Sequence, residues 1–542
     1  MDRDDGNHGT MTEIKMKVLI TDAVDPICID MLEARGITPD VRLKQSGEAL
    51  REAAAEADGW IIRSGTTITA DLIEAAGNLR VIGRAGVGVD NIDLSAATRR
   101  GVLVINAPSG NTISTAEHTC ALLLSMARRV PQANRSIAEG RWDRKAFTGS
   151  EVYEKTLGVV GLGQIGREVA VRMAGFGMKL IGYDPVLSRE AAERLGVRLV
   201  DMEELLAGSD FITVHTPLND ATRGLLRKET FAQCRRGVCI VNCARGGIVE
   251  EKDLLAALDS GQVGGVALDV YSTEPPPVEL QALLRHPKVI ATPHIAASTE
   301  EAQEKVAVQI TEQVIRALCG EAVHTPVNAL AIKMAAQPDV QPYLSLSDRL
   351  GQLIGQLGGA RIRGITVGCR GDVPRRYSEV LTVAAVRGIL SKWVPEPVNL
   401  INAPFLAEDM GIHVTEARDT APGGYTNLLQ IGLETDDGRR TVAGTIFDRE
   451  EQRLVRIDNY WLEIKPEGHM IVYRNVDRPG MLAAVGSILA RNDINIGALA
   501  LGRAGKGEIA LTAVTVDEVV PATVVREIAA LDGIEDVRSV DV

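Results

Sequence analysis

Residues 156–184 read TLGVVGLGQIGREVAVRMAGFGMKLIGYD, and this stretch decides the fold. A β-branched apolar run closes on Gly161-Leu-Gly163-Gln-Ile-Gly166, helical spacing follows over 164–176, and a second apolar run ends at Asp184. In a G-x-G-x-x-G loop the first glycine makes the turn, the second admits a pyrophosphate, and the third packs helix on strand. The pyrophosphate then rests on the free amides of the helix N-terminus. Asp184 falls 23 residues after Gly161, close to the ~20-residue interval at which an acid bonds the ribose hydroxyls and disfavours a 2'-phosphate. The stretch therefore reads as a βαβ unit for NAD rather than NADP.

Outward from this unit the alternation continues. Strands are expected at 211–214, 238–242 and 265–269 and a helix at 189–195, the pattern of a Rossmann-type, doubly wound parallel sheet. Upstream, KVLITD at 17–22, a helix over 25–35, and apolar runs at 60–62, 79–84 and 102–106 suggest a smaller, flavodoxin-like α/β unit. Ser114-Thr115-Ala116-Glu117 reads as a capping box that opens a long apolar helix to Arg128 and bridges the two units. A helix over 298–318 would return the chain to the first unit and make it discontinuous. Composition shifts to Pro, Ala and Gln over 325–342, which marks a boundary rather than an element. Residues 343–464 mix strands (ITVGCR, TVAGTIF) with a helix (EVLTVAAVRGIL) and carry no motif tied to chemistry. The last segment, 468–542, has the order βαββαβ of a split βαβ unit, of the kind that binds a ligand or partner. The expected division is a disordered tail at 1–16, a substrate unit at 17–112 with 296–328, a dinucleotide unit at 113–295, a mixed α+β unit at 329–466 and a βαββαβ unit at 467–542.

Bulk properties narrow the function. The 542 residues carry 59 Lys plus Arg against 72 Asp plus Glu, a net charge of -13 that repels nucleic acid and anionic membranes. An anionic substrate must then be held by a local arginine cluster. No run approaches the ~18 apolar residues of a membrane helix, and the polar start MDRDDGNHGTMTEIK lacks the form of a signal peptide. Seven scattered cysteines without a C-x-x-C pair argue against a disulfide framework or a metal site and fit a reducing, cytoplasmic setting. Cys239 and Cys243 lie in VCIVNC, which alternates like a buried strand.

Oxidising a secondary alcohol by hydride transfer needs a base for the hydroxyl proton, a cation for the carboxylate and the emerging carbonyl, and a group that orients the base. His294 in ATPHIAAS, Glu274 in YSTEPPP and Arg245 in NCARGG each follow an apolar strand, where ligands bind in open parallel sheets. A carboxylate beside an imidazole sets its tautomer, and a guanidinium can grip a carboxylate with two hydrogen bonds. His215, in TVHTP, is the next candidate histidine and suits a structural role on the cofactor side.

With these residues the chain resembles the D-isomer-specific 2-hydroxyacid dehydrogenases, in the long D-3-phosphoglycerate dehydrogenase form that carries an intervening domain and a C-terminal ACT domain. RSGTTIT, GRAGVGVDNID, NAPSGNTISTAEHT, GLGQIG, NCARGGIV, LDVYSTEPP and TPHIAAST carry the resemblance. It implies that His294 is the acid/base, Glu274 its partner and Arg245 the substrate's clamp. It implies that Gln164, Ile165, Asp184, Thr216, Cys243, Ala244 and Asp269 face NAD, with Val87 nearby where a Thr can help hold the cofactor. Arg63, Ser64 and Arg84 would line the substrate side, and the resemblance leaves open that Arg144, in GRWDRKAFTG, serves a neighbouring subunit. Asn475, Asp477 and Asn495 match positions that bind an amino acid, L-serine being the effector implied, although Asn475 replaces a His seen in some such sites. Ala296 stands where Gly often follows the His motif.

The expected reaction is NAD-dependent oxidation of 3-phospho-D-glycerate to 3-phosphohydroxypyruvate, the first step of the phosphorylated route to L-serine, by a homo-oligomer, dimer or tetramer. A hydroxypyruvate or glyoxylate reductase, or a non-catalytic NAD-sensing protein on the same fold, are the alternatives. The arginines favour a phosphorylated acid over the first, and the intact Arg, Glu and His set favours catalysis over the second.

Overall fold

Short runs of Val, Ile and Leu, separated by helices, pair in this protein into two wholly parallel sheets. The computed structural model describes residues 16–542 apart from 336, 360, 396, 420–423 and 449. The tail expected at 1–16 lies outside the described residues except for Met16.

The first sheet comprises β1 (Lys17–Ile20), β2 (Thr38–Val41), β3 (Gly59–Ile62), β4 (Val81–Arg84) and β5 (Leu103–Asn106), in the order β2-β1-β3-β4-β5. This is the flavodoxin-like order. The strand β2, TPDV, escapes a reading by apolar pattern because it is a partly exposed edge, where Pro39 is tolerated. One face of the sheet is covered by helix Glu300–Leu318, whose Val306, Ile310 and Val314 share a core with Val18, Ile61 and Val81. Contact is close enough that a Cβ on Gly83 would lie 2.6 Å from Val314.

The second sheet comprises β6 (Thr156–Val160), β7 (Lys179–Tyr183), β8 (Arg198–Leu199), β9 (Phe211–Val214), β10 (Val238–Asn242), β11 (Val263–Leu268) and β12 (Val289–Ala291). Its order, β12-β11-β10-β9-β6-β7-β8, is doubly wound, with the chain reversing direction across the sheet between β6 and β9. That switch point is where an open α/β sheet takes its ligand.

The long bridging helix spans Thr112–Arg128 and ends where the sequence places its end, but it opens two residues before Ser114. The capping box is therefore not formed. Asn111 is the N-cap, and the Ser114 hydroxyl donates back to the Asn111 carbonyl at 3.1 Å. Residues 325–342 are also more ordered than their composition suggests. They hold a short helix, Leu330–Ala335, and the start of helix Gln341–Leu357, where Pro342 sits in a first turn that needs no amide donor.

A third sheet joins β13 (Ile362–Arg370), β14 (His413–Asp419), β15 (Leu428–Thr435), β16 (Gly438–Phe447), β17 (Glu451–Ile457) and β18 (Tyr460–Ile464); only β13 and β14 are parallel. Helices Gln341–Leu357 and Ser378–Leu390 pack on it, and against each other so closely that a Cβ on Gly351 would meet the Ala385 carbonyl at 2.4 Å. The fourth sheet, β19 (His469–Val476), β20 (Ile496–Arg503), β21 (Ile509–Val516) and β22 (Ile534–Asp541), is antiparallel in the order β20-β21-β19-β22 and carries helices Met481–Arg491 and Ala522–Ala529. No helix among the described residues is long and apolar enough to cross a membrane.

Candidate active site

The glycine loop is built as its sequence requires. Gly161 has φ +88°, and a Cβ there would meet the His215 carbonyl at 2.6 Å. A Cβ on Gly166 would lie 2.0 Å from the Gly161 carbonyl, whereas one on Gly163 would meet nothing within 4 Å among the described residues. The loop thus closes behind Gly161 and Gly166 and leaves space at Gly163, the cradle that a pyrophosphate fills. Asp184 terminates β7, outside the cleft lining. Its carboxylate accepts from the amides of Leu162 (2.8 Å), Val186 (2.9 Å) and Leu187 (3.0 Å), so it also staples the glycine loop. Burial pushes the carboxyl up, and these amides outweigh it to hold the group below the usual carboxylate range.

Gly163, Gln164, Ile165, Thr216, Cys243 and Ala244 line one cleft together with Val87. Thr216 Oγ1 and Asn111 Oδ1 are buried there without a hydrogen-bond partner among the described residues. Buried polar atoms are normally satisfied, so the cleft suits a ligand with polar edges, as NAD has. His215 lines the same cleft; burial pushes its imidazole down to about 4, leaving it neutral and bonded to Thr213 Oγ1 at 2.9 Å.

A second pocket holds Arg63, Ser64 and Arg84. Arg63 is fixed by neighbours that the sequence reading missed: Asp22 accepts from the amides of Arg63 (2.6 Å) and Thr66 (3.1 Å), and Asn91 donates to the carbonyls of Arg63 (2.7 Å) and Thr66 (2.5 Å). An acid at the C-terminal end of the first parallel strand was the available signal for Asp22. Arg84 Nε is buried and unpaired among the described residues. Its guanidinium is pushed down to about 10, first by burial and then by Arg245. Cations crowded in this way, with a hydrogen bond unmade, call for an anion.

Pocket and cleft meet at Val87, Gly88, Asn111, Arg245, His294 and Ala297. Arg245 leaves β10 on a turn pinned by Asn242, whose side chain donates to the Arg245 carbonyl (2.9 Å) and accepts from the Ala244 amide (3.0 Å). Gly246 lets this turn lie against the loop after β11; a Cβ on it would stand 1.8 Å from the Tyr271 carbonyl. On that loop Glu274 accepts from the Tyr271 amide (3.1 Å) through Oε1 and meets His294 Nδ1 (2.6 Å) through Oε2. A carboxylate at this distance favours the tautomer with the proton on Nδ1.

His294 has φ +52°, a left-handed conformation uncommon for a side chain of its size. Asp269 enforces it. This carboxylate, 0% exposed, accepts from Thr292 Oγ1 (2.6 Å) and the amides of Ile295 and Ala296 (2.9 Å each), with His118 Nε2 at 3.4 Å. Burial pushes the Asp269 carboxyl up, and its hydrogen bonds outweigh that and hold it below the usual range. Asp269 was expected on the cofactor wall; its bonds place it behind the His294 turn. His118, which suggests nothing in sequence, belongs to this support.

Arg144 lies on an exposed stretch and is not among the lining residues of either pocket. The three candidate effector residues bond to different partners. Asn475 is 2% exposed and bonded to Thr512 and the Val476 carbonyl; Asp477 accepts from Arg503 (2.9 Å); Asn495 is exposed and donates to Asp517 (2.7 Å). All seven cysteines are free, and no His/Cys/Asp/Glu group among the described residues could hold a metal ion.

Three family descriptions match in series: the NAD binding domain of D-isomer specific 2-hydroxyacid dehydrogenases over 120–296, the D-3-phosphoglycerate dehydrogenase intervening domain over 339–458, and the ACT domain over 469–533. A D-3-phosphoglycerate dehydrogenase of Archaeoglobus fulgidus is 42% identical over 529 residues, spanning 97% of this chain and 100% of its own. The chain belongs to the D-3-phosphoglycerate dehydrogenase family. A Homo sapiens member is 46% identical over 77% of this chain and 79% of its own. Among solved structures, a D-lactate dehydrogenase of Aquifex aeolicus complexed with NAD and lactic acid has TM-score 0.52 at 27% identity, covering 56% of this chain and 96% of its own. Membership makes this an NAD-dependent oxidoreductase of 2-hydroxy acids with an ACT domain suited to a small-molecule effector.

Proposed function

We propose that this chain oxidises 3-phospho-D-glycerate to 3-phosphohydroxypyruvate with NAD. The supporting observation is the junction: an arginine pocket and a dinucleotide cleft that share Arg245 and His294. A substrate with a carboxylate and a phosphate puts opposite ends onto Arg245 and onto Arg63 and Arg84, leaving C2 between them. His294 Nε2 takes the C2 hydroxyl proton. Glu274 stabilises the imidazolium so formed, and Arg245 polarises the oxygen as it becomes a carbonyl. Gly161, Gly163, Gln164, Ile165, Gly166, Thr216, Cys243 and Ala244 would hold NAD, with Asp184 at the ribose, and the bound dinucleotide would supply the hydride acceptor. In the reverse direction protonated His294 is the acid.

The same reading makes Asn475, Asp477 and Asn495 the site of an amino-acid effector, L-serine, and assigns Arg144 to a neighbouring subunit of a homo-oligomer in the cytoplasm. Trp142, 81% exposed two residues from Arg144, supports the assembly. The helix Glu300–Leu318 on the first sheet supports the discontinuous substrate unit of 17–112 with 296–328.

The test follows NADH absorbance with purified protein on 3-phospho-D-glycerate, glycerate and lactate. Turnover confined to the phosphorylated acid is expected. A preference for glycerate or lactate assigns a reductase of small acids instead, and NAD binding without turnover of any acid sinks the enzyme reading. An unchanged rate at millimolar L-serine rejects the effector.

A further inference from the structure

Asp90 lies in the loop after β4, in the first sheet, and reaches across the cleft to a residue of the second. Its Oδ2 accepts from Arg245 Nε at 2.9 Å. The side chain of Asp90 is 65% exposed and that of Arg245 26% exposed. An isolated pair so exposed contributes little, but this one is built into a fitted contact. Arg245 Nη1 donates to the Ala244 carbonyl at 2.7 Å, and Gly88 backs the guanidinium so closely that a Cβ would lie 1.8 Å from Nη2. Gly86 does the same for the neighbouring arginine, with a Cβ 1.8 Å from Arg84 Nη1. A planar guanidinium held at Nε and at one Nη1 proton, with the Gly88 backbone close against Nη2, has little orientational freedom left. Its Nη2 protons and the second Nη1 proton have no acceptor among the described residues. Asp90 also opposes the mutual repulsion of Arg84 and Arg245.

We propose that Asp90 is a positioning residue that holds Arg245 by Nε and so aims its free Nη edge at the carboxylate and C2 oxygen of the substrate. The inference deepens the phosphoglycerate reading and rests on it. The carboxylate is placed to act through Arg245, from the rim of the dinucleotide cleft that it helps to line.

The experiment compares the parent enzyme with Asp90→Asn, Asp90→Ala, Arg245→Gln and the Asp90→Ala/Arg245→Gln double variant. It measures kcat, KM, NADH affinity by fluorescence, Tm, and 3-phospho-D-glycerate binding to the enzyme–NADH complex. Asp90→Ala is expected to lower kcat/KM by roughly 10–100-fold, as loss of a hydrogen bond to a charged group does, with NADH affinity unchanged. Asp90→Asn, which keeps an acceptor without the charge, falls between. In the Arg245→Gln background the loss of substrate binding caused by Asp90→Ala disappears. Parental kcat/KM in Asp90→Ala, or an equal loss with and without Arg245, overturns the proposal. If the parent oxidises a different 2-hydroxy acid, the phosphoglycerate reading fails, and the same comparison on that acid still decides the role of Asp90.

Discussion

His294 Nδ1 lies 2.6 Å from Glu274 Oε2, although the two residues leave different strands and 20 positions separate them. Neither loop makes the pair alone: the Tyr271 amide turns Glu274 inward, and Asp269 holds His294 in its left-handed turn. His294→Gln is expected to lower kcat by about 10²–10⁴-fold, the range of a lost general base, with NADH affinity retained. Glu274→Gln should lower it by roughly 10–100-fold. Stopped-flow hydride transfer checks both, and a parental rate in His294→Gln removes it as the base.

Glu274 also predicts an acid dependence of stability. Burial pushes its carboxyl up, yet the His294 bond and the Tyr271 amide bring it below the ordinary 4.5. A depressed carboxylate stabilises the folded state above its unfolded value, and that contribution is lost as pH falls through the folded value. The urea midpoint of the parent should therefore exceed that of Glu274→Gln at neutral pH. The difference should close as pH drops below 4.5. A gap that persists in strong acid would falsify the sign.

The unpaired Arg84 Nε predicts that an anion stabilises the protein. Saturating 3-phospho-D-glycerate, at about 100 times its Kd, adds about 2.7 kcal/mol to the folded state, read as a rise in Tm. Arg84→Gln should lose most of that rise and raise KM, while Arg84→Lys recovers only part, because an ammonium lacks the planar fork. An undiminished rise in Arg84→Gln would place the anion elsewhere.

Asp269 is predicted to matter for stability and rate together. Asp269→Ala leaves the amides of Ile295 and Ala296 without their acceptor, at a cost of about 1–3 kcal/mol for each buried group left unpaired. The His294 turn should relax, so kcat falls along with the urea midpoint. A variant of parental stability and rate contradicts the support described for this turn.

Asp184, proposed above to hold the ribose, also staples the Leu162 amide. Asp184→Ala should weaken NAD binding, narrow the preference over NADP and lower Tm in one step. Calorimetric titration with both dinucleotides checks this; a changed preference at unchanged Tm would separate the two roles.

The sequence by itself determined the alternating architecture and the dinucleotide loop. Apolar runs broken by glycine turns could only alternate strand with helix, and the spacing of Gly161, Gly163, Gly166 and Asp184 is a local property of one βαβ unit. Arg245, Glu274 and His294 were legible because each follows a strand, and parallel strands deliver their C-terminal ends to one place. Local signals failed where packing overruled them: the capping box at Ser114 gave way to Asn111, and the weakly apolar edge β2 went unseen. Asn91, Asp90 and His118 were invisible for a different reason. Their roles exist only through partners 25 to 174 positions away, and no periodicity records a distance of that kind. Tertiary structure alone decided that Asp269 stands behind the His294 turn, that Arg84 Nε is buried without a partner among the described residues, and that the arginine pocket and the dinucleotide cleft share one wall. Which atoms end within hydrogen-bonding reach is set by the docking of two sheets, a sum of contacts across the whole chain that no single segment contains.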